Sequence, residues 1–421
     1  MKRVFFVLAI VATLVNLAAC GEDDDPTTIT AEDFTATLME HPAVDEVIGT
    51  LTATTNNGTL VYSFTEQSVA GAMAVNPASG QLTVANAAAF DFETNPTLTG
   101  EVTITNGSLQ KVINVTISVT DKSEVLYVAG YEYNGSKFVA KLWKNGTVQS
   151  LTDGTTDAEA HSVAVSGSNV YVVGFEQNSN GKNVIKLWKN GIAQNLTDGT
   201  NNANAYSVVV VGSDVYVAGT ESNGTKYVAK IWKNGTAQNL TDGTEHAEAH
   251  SVVISGSDVY AVGYERGSTA RIAKLWKNGT AQNLTDATHE AGALAVTLSG
   301  SDVFVAGYEY NSSNVSVAKL WKNGTVQNVA GETNHTNAQS VAVSGSDVYI
   351  AGSENGGARI WKNGTAQNLS NGGIATSVTL SGSDVYVSGS SGRVAIVWKN
   401  GTAQNLTDGA REAHANSVLI K

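Results

Sequence analysis

The sequence is poor in the residues that many classes of protein require. Cysteine occurs once in 421 residues, which excludes a disulfide framework and any zinc site built from several thiolates. Proline occurs 4 times and charged residues make up 15% of the chain, below the roughly 25% of an ordinary soluble domain. The formal net charge of −13 argues against a nucleic-acid partner. Glycine, in contrast, occurs 42 times, and the hydrophobic content of 42% is high enough to form a core.

The first nineteen residues have the composition of a signal peptide. Lys2 and Arg3 precede an apolar stretch that ends at Leu17, which is shorter than the roughly 20 residues of a membrane-spanning helix. The following Leu17-Ala18-Ala19-Cys20 resembles the lipobox of bacterial lipoproteins. This resemblance implies that residues 1–19 are a lipoprotein signal peptide and that Cys20 carries lipid such as palmitate. The alternative is an ordinary secretory signal followed by a chance cysteine.

Residues 20–28 are predicted to form an acidic tether. Its run Glu22-Asp23-Asp24-Asp25 resembles the surface-export signal of lipoproteins in Bacteroidota-type bacteria. A run of charges is also typical of a plain solvated linker, and the two interpretations are compatible. We therefore expect a lipid-anchored protein of the outer membrane that is exposed at the cell surface.

Residues 29–121 alternate short apolar strands with turn residues. Period-two patterning with turns every ~8–12 residues predicts one antiparallel, Ig-like β-sandwich. The predicted strands are Val47–Ala53, Leu60–Phe64, Gln81–Val84, Glu101–Ile104 and Val112–Val119.

The order of residues in this module resembles a cadherin repeat. The resemblance rests on five segments of the sequence, which are Glu40-His41-Pro42, Thr50 to Gly58, Asn76 to Leu82, Phe90 to Glu93 and Val119 to Asp121. It implies cell adhesion and a calcium site, because a hard cation takes 6–8 oxygen ligands. The residues that match the family's calcium ligands are Glu40, Asp91, Glu93 and Asp121.

Three departures from the cadherin pattern leave a structural alternative open. The family's closing acidic run is missing after Asp121, its Asp-Ala-Asp is replaced by Thr55-Asn56-Asn57, and only one repeat exists. In the alternative interpretation the carboxylates cap turns and accept hydrogen bonds from local backbone.

Residues 122–421 repeat one pattern seven times. A tryptophan followed by Lys-Asn-Gly recurs every 37 to 45 residues, which is the period of a propeller blade. Each unit contains four short strands, here called a to d, and Asn-Gly predicts a tight hairpin between c and d. The tryptophans are predicted to pack between blades rather than to bind ligand. They are Trp143, Trp188, Trp232, Trp276, Trp321, Trp361 and Trp398.

The two ends of this region predict that the ring is closed. The first unit begins at strand b, and the chain ends with a lone strand a at Ser417 to Ile420. Together they complete one blade, and a closed ring needs no polar caps. The predicted fold is therefore all-β: an N-terminal cadherin-like sandwich and a seven-bladed propeller closed by the C-terminal strand.

Variation among the repeats predicts which end of the propeller binds. The a–b and c–d loops hardly change, whereas the b–c and d–a loops vary and leave the blade at the same end, so binding is expected there. One variable position next to strand a would line the mouth of the central channel. Its occupants are His161, Tyr206, His250, Leu294, Gln339, Thr376 and Asn416.

Four of these side chains, His161, Tyr206, His250 and Gln339, are the candidate ligand-binding residues. A mixture of imidazole, phenol and amide suits sugars or peptides better than a metal ion. Acidic residues nearby, such as Glu159 and Glu248, keep the d–a loops negative. The alternative is ordinary variation of solvated loops.

Glutamates at the end of strand b recur together with basic residues on strand c. The seventh blade lacks both, with Ser391 and Ile396 in their places, which favours cross-strand salt bridges over a cation-binding ring. In the shortest hairpin we expect a two-residue Gly-Gly turn, which would place Glu354 directly opposite Arg359.

The sequence contains no phosphate-binding loop, zinc motif or nucleophile elbow, so no enzymatic activity is expected. The predicted function is that of a monomeric surface lipoprotein for adhesion or ligand binding, with an extracellular protein or glycan as partner. The cadherin resemblance implies that adhesion depends on calcium. The alternative is a glycan-processing enzyme, a hydrolase or lyase, or an accessory carbohydrate-binding protein.

Overall fold

The computed structural model describes residues 26–92, 94–122 and 124–421. The described residues form β-strands and one short 3-10 helix, and none of their helices has the length and apolarity to cross a membrane. The chain divides between Lys122 and Ser123 into two compact units.

Within residues 26–92 and 94–122, the N-terminal unit has nine strands around one apolar core. The core includes Leu82, Phe90, Leu98 and Ile117, which are fully buried. Its strands are β1 (Ile29–Ala31), β2 (Phe34–Met39), β3 (Val47–Thr50), β4 (Ala53–Thr55), β5 (Val61–Gln67), β6 (Met73–Val75), β7 (Gln81–Val84), β8 (Thr97–Asn106) and β9 (Leu109–Thr120), with the 3-10 helix at Ala87–Ala89.

The sheet pattern differs from the predicted antiparallel sandwich in two details. The sheets have the orders β2-β9-β8-β5, β3-β7-β6 and β1-β4, and β2 pairs with β9 in parallel. The predicted strand Val47–Ala53 is interrupted, because β3 pairs with β7 whereas β4 pairs with β1. Period-two patterning identifies a strand and its buried face, but not its pairing partner.

The second unit contains seven four-stranded antiparallel sheets within residues 124–421. In chain order the strands are β10 (Leu126–Tyr133), β11 (Phe138–Lys144), β12 (Thr147–Ser150), β13 (Ala158–Ser166), β14 (Asn169–Gln177), β15 (Asn183–Lys189), β16 (Ile192–Asn195), β17 (Ala203–Val211), β18 (Asp214–Ser222), β19 (Tyr227–Lys233), β20 (Thr236–Asn239), β21 (Ala247–Ser255), β22 (Asp258–Arg266), β23 (Arg271–Lys277), β24 (Thr280–Asn283), β25 (Ala291–Ser299), β26 (Asp302–Tyr310), β27 (Ser316–Lys322), β28 (Thr325–Asn328), β29 (Thr336–Ser344), β30 (Asp347–Glu354), β31 (Gly357–Lys362), β32 (Thr365–Asn368), β33 (Ile374–Ser381), β34 (Asp384–Ser391), β35 (Val394–Lys399), β36 (Thr402–Asn405) and β37 (Ala413–Ile420).

The C-terminal strand closes the ring, as predicted. β37 pairs with β10 and becomes strand a of the first blade, whose order is β12-β11-β10-β37. The a strands of neighbouring blades contact one another, and β37 contacts both β33 and β13. The a strands are therefore innermost, and the seven sheets form a closed seven-bladed propeller.

The repeated Trp-Lys-Asn-Gly motif forms the packing and the turns of each blade. Trp232 is 1% exposed and packs with Tyr171 and Leu187 of the preceding blade. Asn234 and Gly235 have φ values of 50° and 84°, as a type I′ turn requires. Lys233 reaches Asp214 at 2.8 Å. The motif is thus structural, and it marks the constant end of the propeller.

The predicted salt bridges between strands b and c are present in blades 1 to 6. The paired residues are diagonal neighbours across the two strands rather than directly opposite each other. Gly352 lies opposite Arg359, and Glu354 lies opposite Gly357. The prediction of a Gly-Gly turn was wrong, because the two turn residues are Asn355 and Gly356, which have positive φ. The pairs are Glu132–Lys141 (3.5 Å), Glu176–Lys186 (2.8 Å), Glu221–Lys230 (2.6 Å), Glu265–Lys274 (2.9 Å), Glu309–Lys319 (3.3 Å) and Glu354–Arg359 (3.1 Å).

Candidate functional site

The predicted mouth residues occupy a β-bulge in each innermost strand. In blade 3 the register with β18 shifts between Ala205 and Ser207, which leaves Tyr206 as the extra, unpaired residue. A bulge bends its strand and redirects the side chain of the extra residue. The same shift places His161, Tyr206, His250, Leu294, Gln339, Thr376 and Asn416 at equivalent positions around the ring.

A glycine on strand b makes each bulge possible. A Cβ atom at Gly219 would overlap the carbonyl oxygen of Asn204 and lie 3.0 Å from the Cα of Ala205. Sequence reasoning considered glycine only in hairpin turns and missed this set, although its signal is a glycine at a fixed place inside strand b of every unit. The set is Gly130, Gly174, Gly219, Gly263, Gly307, Gly352 and Gly389.

Three bulge side chains fasten neighbouring blades together. His161 Nδ1 lies 2.7 Å from the carbonyl oxygen of Ala205. Thr376 Oγ1 donates to the carbonyl of Ala415 at 2.7 Å, and Asn416 Nδ2 donates to that of Ala160 at 2.9 Å. At these positions the variable side chain has a structural role in addition to any role in binding.

Aromatic and imidazole rings form a continuous arc across blades 2 to 4. The ring of Tyr206 lies between those of His161 and His250, with centroid distances of 5.7 and 4.9 Å. Phe175 extends the arc beyond His161, and Tyr264 extends it beyond His250, each at 5.8 Å. Such spacings are those of favourable ring contacts. We call these five residues the aromatic arc.

Glu248 joins three members of the aromatic arc. The hydroxyl of Tyr206 donates to Glu248 Oε2 at 3.1 Å, and His250 Nε2 lies 3.6 Å from the same oxygen. Burial, followed by the charge of Glu248, raises the pKa of Tyr206 and of Tyr264 far above the usual value of a phenol. Burial lowers the pKa of His250. These two phenols and the imidazole of His250 are therefore uncharged at neutral pH.

Five acidic side chains of the d–a loops have a basic side chain or an imidazole as a partner. The sequence predicted a negative rim, whereas the structure pairs its carboxylates locally. The pairs are Glu159–His161 (3.1 Å), Glu290–Arg271 (3.1 Å), Glu412–His414 (3.3 Å), Asp157–Lys137 (2.9 Å) and Glu245–Lys226 (3.3 Å).

Blades 6 and 7 carry polar side chains at the bulge and at the next residue after the strand-b glycine. In blade 6 the bulge residue is Gln339, and Ser353 stands on strand b opposite Asn337. In blade 7 the bulge residue is Thr376, and Ser390 stands at the equivalent place on strand b. The mouth therefore has an aromatic side and an amide and hydroxyl side.

Two cavities lie at the constant end rather than at the mouth. One, of 600 Å³, lies between blades 6 and 7 and is lined by Tyr349 and Gln367, among others. The other, of 560 Å³, lies between blades 3 and 4 and includes the equivalent Tyr216 and Gln238. These clefts repeat because the blades repeat.

Two of the candidate calcium ligands, Glu40 and Asp91, accept hydrogen bonds from backbone amides. Glu40 is 3% exposed and accepts from the amides of Phe92 (3.1 Å) and Lys122 (2.7 Å). Asp91 is equally buried and accepts from the amide of Thr94 at 3.0 Å, whereas Asp121 is exposed. The contact of Asp91 is that of a turn-stabilising carboxylate, whereas Glu40 joins segments that are far apart in the chain.

Two of the predicted site residues, Cys20 and Glu93, lie outside the described residues. Among the described residues, no group of three or more His, Cys, Asp or Glu side chains could hold a metal ion. Calcium binding therefore stays a prediction of the cadherin resemblance.

Comparisons with known proteins add only weak similarities. No family model matches the chain, and no curated protein matches it. The solved structures include a quinonprotein alcohol dehydrogenase-like protein of Bacteroides thetaiotaomicron, at 12% identity over 92% of this chain and 96% of that chain, with a TM-score of 0.41.

Cadherin structures match the chain in part. The third cadherin domain of human protocadherin 7 matches at 21% identity over 25% of this chain and 94% of that domain, with a TM-score of 0.21. Drosophila N-cadherin matches at 24% identity over 23% of this chain and 34% of its own length, also with a TM-score of 0.21. At these scores none of the matches carries an argument about function.

Proposed function

We propose that this protein is a surface-anchored lipoprotein whose propeller binds an extracellular ligand at the variable end. The observation that carries the proposal is the ring of bulges. Each blade repeats the same framework, whereas the side chain at one position beside the channel is of six types in seven blades. A rigid scaffold that presents variable residues at one end is typical of binding sites.

The N-terminal region supplies the anchor in this proposal. The lipobox-like Leu17-Ala18-Ala19-Cys20 and the acidic run after it support attachment to the outer membrane of a Bacteroidota-type bacterium. The cadherin-like order of residues 29–121 supports a role in adhesion that depends on calcium. The propeller then serves as the ligand-binding platform.

The lipid anchor is tested at Cys20. We expect Cys20→Ser to abolish metabolic labelling with palmitate and to move the protein from the membrane fraction to the soluble fraction. The wild-type chain in the same cells is the control. Membrane attachment that persists in the variant would contradict lipidation at this residue.

The binding site is tested by a double substitution in the aromatic arc. The mature chain would be applied to arrays of glycans and extracellular matrix proteins, with and without calcium. We expect Tyr206→Ala combined with His250→Ala to weaken binding of any ligand by about tenfold or more, because it removes two ring contacts of ~0.5–1.5 kcal/mol each.

The matched control for this test is Gln238→Ala at the constant end, which should leave binding unchanged. If the double variant binds as well as the wild type, the mouth is not the site. If Gln238→Ala weakens binding instead, the clefts between blades at the constant end are the site.

A glycan-processing enzyme remains the second candidate. The observation that favours it is the uncharged His250 beside Tyr206 and Glu248, since these groups can move a proton within hydrogen-bond reach of a substrate. New reducing ends or unsaturated products from a bound glycan, lost in His250→Ala, would favour this candidate over a binding protein.

A further inference from the structure

We infer that the ligand at the mouth is an uncharged saccharide. The inference rests on the proposed function and specifies the chemistry of its ligand. Its first support is the aromatic arc, whose five rings run without a gap from Phe175 to Tyr264. A pyranose has an apolar face of C–H groups, and such a face packs well against aromatic rings.

Two rings of the arc, those of His161 and His250, are partly accessible, whereas Phe175 is buried. The side chains of His161 and His250 are 16% and 21% exposed, and those of Glu159 and Glu248 are 25% and 19% exposed. A partly buried aromatic surface rimmed by a few polar groups has the composition of a ligand site. The carboxylates lie where they can orient a ligand that packs against the rings.

The hydrogen-bonding groups of the mouth suit hydroxyl groups. A carboxylate offers about four acceptor positions, and Glu248 Oε2 already receives the Tyr206 hydroxyl. The acceptor positions that Tyr206, Tyr264 and His250 leave open can take the hydroxyl protons of a sugar. Across the ring, the amide of Gln339 can both donate and accept. A ligand with an apolar face and several hydroxyls fits both sides of the mouth.

The charges of the mouth argue against an anionic ligand. Arg271 is a cation in contact with the aromatic arc, and its guanidinium stacks on Tyr264 at 4.9 Å and pairs with Glu290 at 3.1 Å. To pair with Arg271, an anionic glycan would have to displace Glu290. Its own charged group would also have to lose water, which costs free energy.

The contacts that the carboxylates of the mouth already make also argue against a cationic peptide. Glu159 faces the His161 imidazole, and Glu248 accepts from Tyr206 and lies near His250. A lysine or arginine of a ligand would compete with these neighbours for the carboxylates. An uncharged, hydroxyl-rich ligand uses the spare acceptor positions without breaking either contact.

The inference is tested by titrating the mature chain with oligosaccharides of one length and three charges. The neutral probes are cello-, xylo- and manno-hexaose, the anionic probe is hexagalacturonate, and the cationic probe is the glucosamine hexamer. We expect at least one neutral probe to bind, and Tyr206→Ala to weaken it about tenfold. Tyr206→Phe, which keeps the ring, should weaken it less, and Gln238→Ala should have no effect.

The outcomes separate this inference from the proposed function. If only the anionic or the cationic probe binds, and Tyr206→Ala weakens that binding, the ligand is charged and this inference is wrong. The mouth would still be the binding site. Binding of a neutral probe that Tyr206→Ala does not change would overturn both. If none of the probes binds at millimolar concentration, the neutral-saccharide assignment is wrong.

Discussion

Deletion of residues 413–421 is expected to unfold the propeller or to destabilise it by about 5 kcal/mol or more. The deleted β37 is strand a of the first blade and pairs with β10 from Leu126 to Glu132. Ala413, Ala415 and Val418 are buried in the core that contains Trp143. Burial of each large apolar side chain contributes ~1.5–3 kcal/mol, and Val418, Leu419 and Ile420 would all be lost.

The deletion also removes contacts across the closure of the ring. Asn416 Nδ2 donates to the carbonyl of Ala160 in the second blade, and Thr376 Oγ1 donates to that of Ala415 from the seventh. Without β37, β10 would be an edge strand with unpaired backbone N–H and C=O groups, which favours association with other chains. We therefore expect the deleted form to aggregate as well as to lose stability.

Tryptophan fluorescence during denaturation measures this effect on the propeller alone, because the seven tryptophans of the chain lie between Trp143 and Trp398. The control is Asn416→Ala, which keeps the strand but removes its bond to Ala160, and should cost about 1 kcal/mol. A deleted chain that unfolds cooperatively at the wild-type denaturant midpoint would contradict closure by β37.

The architecture of the propeller could be predicted because the same sequence pattern recurs once in each blade. Each tryptophan marks a blade, each Asn-Gly marks a turn that requires positive φ, and the incomplete units at the two ends identify the closing strand. These signals are local or periodic. The parallel pairing of β2 with β9 had no such signal, because it joins strands far apart in the chain.

The site could be predicted only in part. Variation among repeats identified His161, Tyr206 and His250, but not that their rings lie in contact or that His161 bonds to the next blade. Those contacts depend on the spacing between blades. The pairing of Glu290 with Arg271 depends on loop paths that a charge count does not reveal. The sequence therefore predicted an acidic rim where the structure has paired charges.

The bulges could not be predicted, because a bulged strand and a regular strand have the same apolar residues in nearly the same order. The only trace is the glycine inside strand b. Gly219 has no positive φ that would require glycine, so its conservation among the repeats reflects space rather than backbone conformation. A strand glycine of this kind marks the close approach of another backbone.

Gly219→Ala is accordingly expected to destabilise the propeller by about 3 kcal/mol, at the upper end of the usual cost of overpacking. The new methyl group would overlap the carbonyl of Asn204, which is backbone and cannot turn aside as a side chain would. If β17 moves to relieve the overlap, its bulge is lost and Tyr206 is redirected, since a shift of one residue reverses the faces of a strand. Ligand affinity should then fall together with stability.

Gly331→Ala is the matched control. Gly331 is exposed, has no positive φ and has no atom within 4 Å of an added Cβ, so its replacement should change the free energy of unfolding by less than about 0.5 kcal/mol. Both variants would be compared with the wild type by tryptophan fluorescence in denaturant. If Gly219→Ala proved as stable as Gly331→Ala, the glycine would not be needed for the bulge, and the fixed placement of Tyr206 would lose its physical basis.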